Sequence, residues 1–530
     1  MKLTTLSCAI ALAALPMTGV FAAAMDRSGQ SISAFLQPGN YFEAGISVLD
    51  ATVTGVEAGE TTSRKPITDM ADSYYFPSAA FKWQAHKNFS VGLIYDQPFG
   101  AAAEYSGDNA FVSKITDTVL PQATLDGMVT SQVQGALAAG SKQINDALSG
   151  QNTPLKPFNE LTAQEIVTAG VASQLRENGI TPTNPQFGAI LQNQVTGLVT
   201  QAGGFENAKD VILAGANAKG QQQLAQQLAA VGADKLGVGN TKVEVHTNNL
   251  TLLVGYQPNE NWNFYAGPVY QTVKGKVNLR GQAYSIFNGY DANIKETGDF
   301  GWLAGVAYQI PEIALKASLT YRSEVEHTAQ TRENFAGVGA VALLGANPAD
   351  IVGKAGDTVI TTPQSVNLDL QSGIMANTVA FANIRWVDWS SFAIRPYQFG
   401  LLSETVGGLA SVNRPDGFDL VAYTDDQISV TAGVGRKFSE QWAGNVSVGW
   451  DSGAGNPVST LGPTEGYWNV GLGLQFSPTP ATFIAGGVKY FWLGDAKSQT
   501  AAQYGESDRI VGNFQDNDAW GFGLKMGYKF

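Results

Sequence analysis

The chain has 530 residues, with 32 Lys and Arg against 45 Asp and Glu and a net charge of −13. That balance argues against nucleic acid as a partner, since phosphate binding needs clustered cations. The single cysteine, Cys8, leaves residues 25–530 without disulfide or thiol chemistry, and after the N-terminal segment no stretch offers ~18 uninterrupted apolar residues, which excludes helical membrane spans.

Residues 1–24 read as a signal peptide. Met1-Lys2 gives a positive start, residues 6–20 are mostly apolar, and Phe21-Ala22-Ala23-Ala24 offers A-x-A spacing for cleavage after Ala23 or Ala24. The apolar stretch is short for an anchor and holds Pro16. Residues 25–40 are mostly polar, glycine-containing and without period, which makes them an N-terminal hatch or plug before the first strand; the apolar pair Phe35 and Leu36 are candidate pocket walls.

From Tyr41 the chain becomes strand, turn, strand. Candidate strands fall near 41–54, 74–86, 89–100, 241–256, 261–280, 297–309, 312–328, 361–377, 379–395, 417–436, 442–452, 466–476, 481–494 and 517–530, fourteen in all. Short polar turns such as His86-Lys87-Asn88 and Ser477-Pro478-Thr479-Pro480 alternate with long segments such as 494–517. Residues 109–239 interrupt this order. They are rich in Ala, Gln and Leu and read as helices: Thr162 to Glu165 is a capping box, Gly179 a stop, Asn184-Pro185 a second start, Gly203-Gly204 its end, and 206–236 a further helix pair. The segment is a helical extracellular insert that shields the mouth or collects a hydrophobic ligand.

The last eleven residues run Trp520-Gly521-Phe522-Gly523-Leu524-Lys525-Met526-Gly527-Tyr528-Lys529-Phe530. Apolar side chains occupy every even position and Gly or Lys every odd one, so one strand face is greasy and the other small or cationic. In a transmembrane barrel the first face meets lipid and the second the lumen. The expected fold is therefore all-β: a transmembrane antiparallel β-barrel of about fourteen strands over residues 41–530, with an N-terminal hatch and a helical extracellular insert, in the outer membrane of a Gram-negative bacterium.

Several segments resemble the FadL-type outer-membrane transporters of long-chain fatty acids and related hydrophobic compounds. Leu319-Thr320-Tyr321-Arg322-Ser323-Glu324-Val325 is similar to a strand of that family, Trp389-Ser390-Ser391-Phe392 to its W-S-x-F segment, and Trp450-Asp451-Ser452 falls where members carry a similar stretch. Residues 77–105, with Pro98-Phe99-Gly100, resemble its second and third strands. The family's hatch usually carries Asn-Pro-Ala; here Gln37-Pro38-Gly39 keeps only the proline. The resemblance implies capture of an apolar ligand at an extracellular groove, passage to a pocket inside the barrel, displacement of the hatch, and exit through a lateral gap beside a kinked strand. Cargo would be long-chain fatty acids, or alkanes or aromatic hydrocarbons by the same route. A general diffusion porin is the competing transport reading, and adhesion through the insert is a further role.

A carboxylate cargo would want a lumenal cation, for which Lys274, Lys276, Arg280 and Arg322 are candidates. Alternation also puts Arg322 and Glu324 on one face, where they would form a structural pair across the interior. His86, His246 and His327 lack metal spacing, and there is no G-x-S-x-G or P-loop, so neither an enzyme nor a cofactor or metal is expected. The expected partners are a hydrophobic small molecule, outer-membrane lipid and lipopolysaccharide, and the barrel assembly machinery, around a monomer.

Overall fold

Alternating sequences that cannot bury both faces in water form a ring when one face meets lipid. A computed structural model describes residues 25–59, 64–115, 117, 122–230, 238–409, 412–503 and 509–530; the predicted signal peptide lies outside them. Fourteen wall strands are present among the described residues. They are β1 (Tyr41–Thr52), β2 (Tyr74–His86), β3 (Phe89–Asp96), β4 (Lys242–Tyr256), β5 (Trp262–Leu279), β6 (Tyr290–Ile310), β7 (Leu315–Arg322), β8 (Ser365–Met375), β9 (Thr378–Val387), β10 (Gln427–Lys437), β11 (Trp442–Asp451), β12 (Glu465–Thr479), β13 (Thr482–Gly494) and β14 (Asp518–Lys529). Each pairs antiparallel with the next, and β14 returns to β1, with Tyr41 opposite Lys529 and Thr52 opposite Asp518. The closed antiparallel barrel of fourteen strands is thus as the alternation predicts.

The outer face carries the apolar residues. Phe522, Leu524, Met526 and Tyr528 of β14 are exposed, while Lys525 between them is buried in the interior. Trp450, Trp468 and Trp492 stand opposite one another on β11, β12 and β13, all outward, and form part of an aromatic belt. A second belt lies toward the short turns, where Trp442 packs on Phe476 at 4.8 Å and Trp262 on Phe264 at 5.9 Å.

The predicted short turns join β2–β3, β4–β5, β10–β11 and β12–β13, all at one end. The other end carries the long connections, extended arms such as Val325–Phe335 and Asp357–Thr362, a small sheet that includes Gly55–Glu57 and Gly512–Phe514, and a helix, Tyr397–Gly407. Several strand boundaries differ from expectation. The strand expected at 312–328 breaks at Ser323 and Glu324, and the one expected at 417–436 begins only at Gln427. Both deviations fall where chain leaves the wall for loops and is released from strict alternation.

Residues Thr116–Leu236 form a separate compact unit with four α-helices among the described residues, α1 (Gln122–Ser149), α2 (Ala163–Glu177), α3 (Phe187–Ala202) and α4 (Phe205–Ala230). The capping box is formed: Thr162 accepts from the Glu165 amide and the Glu165 carboxylate accepts from the Thr162 amide. The Asn184-Pro185 start is shifted to Phe187; of the helix pair expected over 206–236, α4 covers the residues up to 230, and 231–236 lie outside the described residues. Gly220 lets α4 approach α1, since a Cβ there would sit 2.7 Å from Val129 Cγ1. No described helix is long and apolar enough to cross a membrane.

A short ladder, Val112–Ser113 against Gly239–Asn240, precedes and follows this unit in the chain. Replacing residues 116–236 by a short Gly/Ser bridge is therefore expected to leave a folded barrel that still shifts on heating in SDS gels; loss of that shift would show the helices to be part of the folding unit.

Candidate functional site

Residues 25–40 run through the lumen and are held by side chains from strands all around it. Arg385 of β9 donates from Nε to Asp26 at 2.6 Å, from Nη1 to Asn367 at 2.7 Å and from Nη2 to the Gln30 side chain at 3.0 Å. Both members of the Asp26–Arg385 pair are almost fully buried, 4% and 1% exposed. Three further cations bind main chain of the hatch. Lys82 Nζ donates to Gln37 O at 2.5 Å, Lys316 Nζ to Leu36 O at 2.8 Å, and Arg322 to Gln30 O. Asn367 completes the set on Gly29 O at 2.8 Å. Gly29 and Gln30 have φ of 59° and 50°; the left-handed Gln30 is costly for a side-chain-bearing residue, and the bonds to its carbonyl and side chain offset that strain.

Phe35 is the apolar anchor. It is 1% exposed and packs with Ile32, Leu36, Leu253, Tyr265 and Leu303, edge-on to Tyr265 at 5.9 Å. Its ring fits where β3 and β4 present glycine: a Cβ on Gly92 would collide with it, and one on Gly255 would come within 2.9 Å of its Cζ.

Beside this plug the wall is interrupted. β2 and β3 pair from His86–Phe89 up to Ala79–Tyr95, and the chains meet again only at Ala71–Ala103. Between them Gln97-Pro98-Phe99 kinks β3, while the ladder to β4 slips by one residue, from Asp96–Asn249 to Gly100–His246. Backbone groups in a membrane need partners. Here the hatch and Thr247 provide them: Arg27 N donates to Pro98 O at 2.7 Å, Gly100 N to Met25 O at 2.8 Å, and Phe99 exchanges bonds with Thr247. Ser28 Oγ also donates to Asp96 at 2.5 Å.

Next to the kink is an apolar cavity of about 40 Å³, lined by Met25, Ala101, Val245, Val277, Ile294 and Leu420, among others. Arg27 is the charged residue of its lining. Its Tyr423 contacts Trp389 at 5.2 Å between centroids, and Trp389 contacts Phe99 at 5.3 Å. A second aromatic group, Phe287, Phe399 and Phe418, packs at 4.7–5.9 Å under the Tyr397–Gly407 helix. On the other side of the hatch, Leu36 borders cavities of about 90 and 260 Å³, with Lys316 and Gln371.

The profile of the family described as "Outer membrane protein transport protein (OMPP1/FadL/TodX)" matches residues 192–530, more than half of the chain. The chain belongs to this family. A FadL homologue from Pseudomonas aeruginosa has a similar structure, at 11% identity over 93% of this chain and 91% of that one, with a TM-score of 0.52. A deletion mutant of TodX, described as a monoaromatic hydrocarbon channel, is similar at 11% identity over 98% of each chain, with a TM-score of 0.50. No curated protein matches the sequence. FadL/TodX proteins are transport channels of the Gram-negative outer membrane, not enzymes, and such barrels keep short turns on the periplasmic side, which orients this one.

Within this FadL/TodX frame the predicted site residues separate. Phe35, Leu36 and Arg322 lie together at the hatch. Lys274 does not: it has the parity of Trp262, Phe264 and Tyr270, so it faces outward, 3.7 Å from Glu296. Arg280 lies beyond the end of β5, where it binds Asp291 at 2.7 Å and the carbonyls of Leu279 and Tyr290. Arg322 and Glu324 are not brought together, because β7 ends at Arg322 and Glu324 is exposed. Sequence reasoning missed Asp26, Arg27, Lys82, Lys316 and Arg385. Lys82 between Phe81 and Trp83, and Arg385 between Ile384 and Trp386, carry a readable signal: a charge flanked by outward apolar residues points inward.

Two substitutions test the seating of the hatch. Asp26→Asn leaves the Arg385 guanidinium buried without its counter-charge, an uncompensated loss of about 3–5 kcal/mol in comparable buried pairs. Gly92→Ala displaces the Phe35 ring. Each is expected to raise the permeability of whole cells to nitrocefin, read by periplasmic β-lactamase, with the barrel still heat-modifiable; unchanged permeability in both would show that neither contact seats the hatch.

Proposed function

We propose that this protein takes up hydrophobic compounds across the outer membrane by capture at the aromatic group of Phe287, Phe399 and Phe418, displacement of the hatch and lateral exit through the gap between β2 and β3. The observation that carries the reading is the sharing of backbone bonds between hatch and kink. Met25 and Arg27 hold Pro98 and Gly100, so moving the hatch strips partners from the edge of the gap. Hatch and gap are thereby coupled energetically. A cavity of about 40 Å³ has room for little more than one water, so cargo must shift the surrounding residues to enter. An apolar ligand in that lining avoids the polar lipopolysaccharide layer, and sideways release into lipid avoids exposing it to water. A single chain suffices, because the wall closes on itself.

Long-chain fatty acids are the first cargo class. Arg27 offers the cavity a cation for a carboxylate, and since Arg27 belongs to the hatch, the head group would pull directly on the plug. Uncharged alkanes or aromatic hydrocarbons are the second, favoured by the outward position of Lys274 and the engagement of Arg280 by Asp291. Uptake of radiolabelled oleate and toluene by cells expressing the protein separates them: Arg27→Met is expected to depress oleate uptake and spare toluene if acids are carried, and to leave both intact if the cargo is uncharged.

The plug itself is tested by deleting residues 25–37. Nitrocefin entry is expected to rise; unchanged entry with persisting oleate or toluene uptake would mean that the segment is no plug. Phe35→Ser with Leu36→Ser removes the apolar anchor, forgoing about 1.5–3 kcal/mol of burial for each side chain, and is expected to lower hydrophobic uptake with the barrel intact.

A further inference from the structure

We infer that Tyr74 is the door of the gap and sets the cross-section of what leaves through it. This rests on lateral exit as proposed above. Tyr74 lies on β2 opposite Leu49, a fully buried position of the inner face, and is itself 4% exposed. It belongs to the part of β2 that has no partner on β3. Its side chain does not turn into the lumen and stop. It crosses the strand Gly100–Glu104, which follows β3 after the kink, at Gly100, where a Cβ would collide with its hydroxyl, and its Oη lies 3.1 Å from Nδ1 of His246 on β4. The two rings stack with centroids 5.6 Å apart and an interplanar angle of 23°.

His246 has the outward parity of Leu250, Leu252 and Val254, whereas Tyr74 has the inward parity of Ala80 and Lys82. One side chain thus passes from an inner position of β2 to an outer position of β4, two strands away, through the missing ladder and past a residue without a side chain. The one-residue slip between Asp96 and Gly100 is what turns Gly100 to the outer face beside His246. On the lumen side the Arg27 guanidinium sits 5.8 Å from the Tyr74 ring centre. The ring is therefore held by the hatch on one side and by the wall on the other. Tyr75, its neighbour, is exposed on the outer face level with Phe522, because both flank Val48, so the door opens among membrane-facing residues.

A side chain that fills a gap controls size, and one that fills a plug controls leak. Uptake of radiolabelled oleate and toluene, with nitrocefin entry measured in parallel, separates the two. Tyr74→Ala is expected to raise both rates, oleate several-fold more than toluene, with nitrocefin entry unchanged because the hatch remains seated. Tyr74→Trp is expected to shift the oleate-to-toluene ratio the opposite way, and His246→Ala, which frees the hydroxyl but keeps the ring, to lie between the unmodified chain and Tyr74→Ala. Heat-modifiability reports folding of each variant. An unchanged ratio in both Tyr74 variants overturns the door, as does a rise in nitrocefin entry that parallels the rise in uptake, which would make Tyr74 part of the plug. An unmodified chain that takes up neither probe would instead overturn the transport reading.

Discussion

A peptide group in hydrocarbon has no water to bond, and leaving one unpaired costs several kcal/mol. Everything in this barrel answers to that constraint. Thirteen of the fourteen strand junctions meet it with continuous or nearly continuous ladders; the junction between β2 and β3 does not. Two residues at that place, Pro77 and Pro98, have no N–H to satisfy, which lowers the demand. The rest of the demand is met from inside, by Met25 and Arg27, and from β4, by Thr247. A wall defect that borrows bonds from a removable segment is stable only while that segment is seated.

The same constraint explains how the hatch is held. A chain threaded through a lumen brings its own carbonyls with it, and these need donors. Lys82, Lys316, Arg322 and Asn367 donate to main-chain oxygens, so they recognise the path of the hatch rather than its side chains. Side-chain identity matters at the buried charge of Asp26, at Ser28 and Gln30, which bond Asp96, Arg385 and Ser365, and at the Phe35 ring over Gly92 and Gly255. Around Pro38 the segment departs from the Asn-Pro-Ala usual in the family, yet the neighbouring carbonyls of Leu36 and Gln37 remain bonded to wall lysines. Interior cations spent in this way also change the reading of cargo chemistry, because a charge count of the lumen overstates what a ligand can reach.

Much of the wall was legible in advance. Strands such as β11, β12 and β14 alternate strictly because one face is fixed by lipid and the other by the lumen, and the period of two leaves no choice of register. The site was less legible. Lys274 was assigned inward although its parity with Trp262 and Phe264 put it outside, an error of reading rather than of information. The Arg322–Glu324 pair failed for a different reason: parity holds only while the strand lasts, and β7 ends between them.

The sequence by itself determined the closed barrel, its fourteen strands, its short-turn end and the presence of helices within residues 109–239, since each follows from local period, capping and turn residues. Tertiary structure alone decided that Arg385 meets Asp26, that Phe35 meets two glycines, and that Tyr74 crosses Gly100 to reach His246. Those partners are separated by tens to hundreds of residues and come together only when the ring closes around the threaded hatch. Local periodicity says which face a side chain takes; it carries no information about which distant chain occupies the space in front of it.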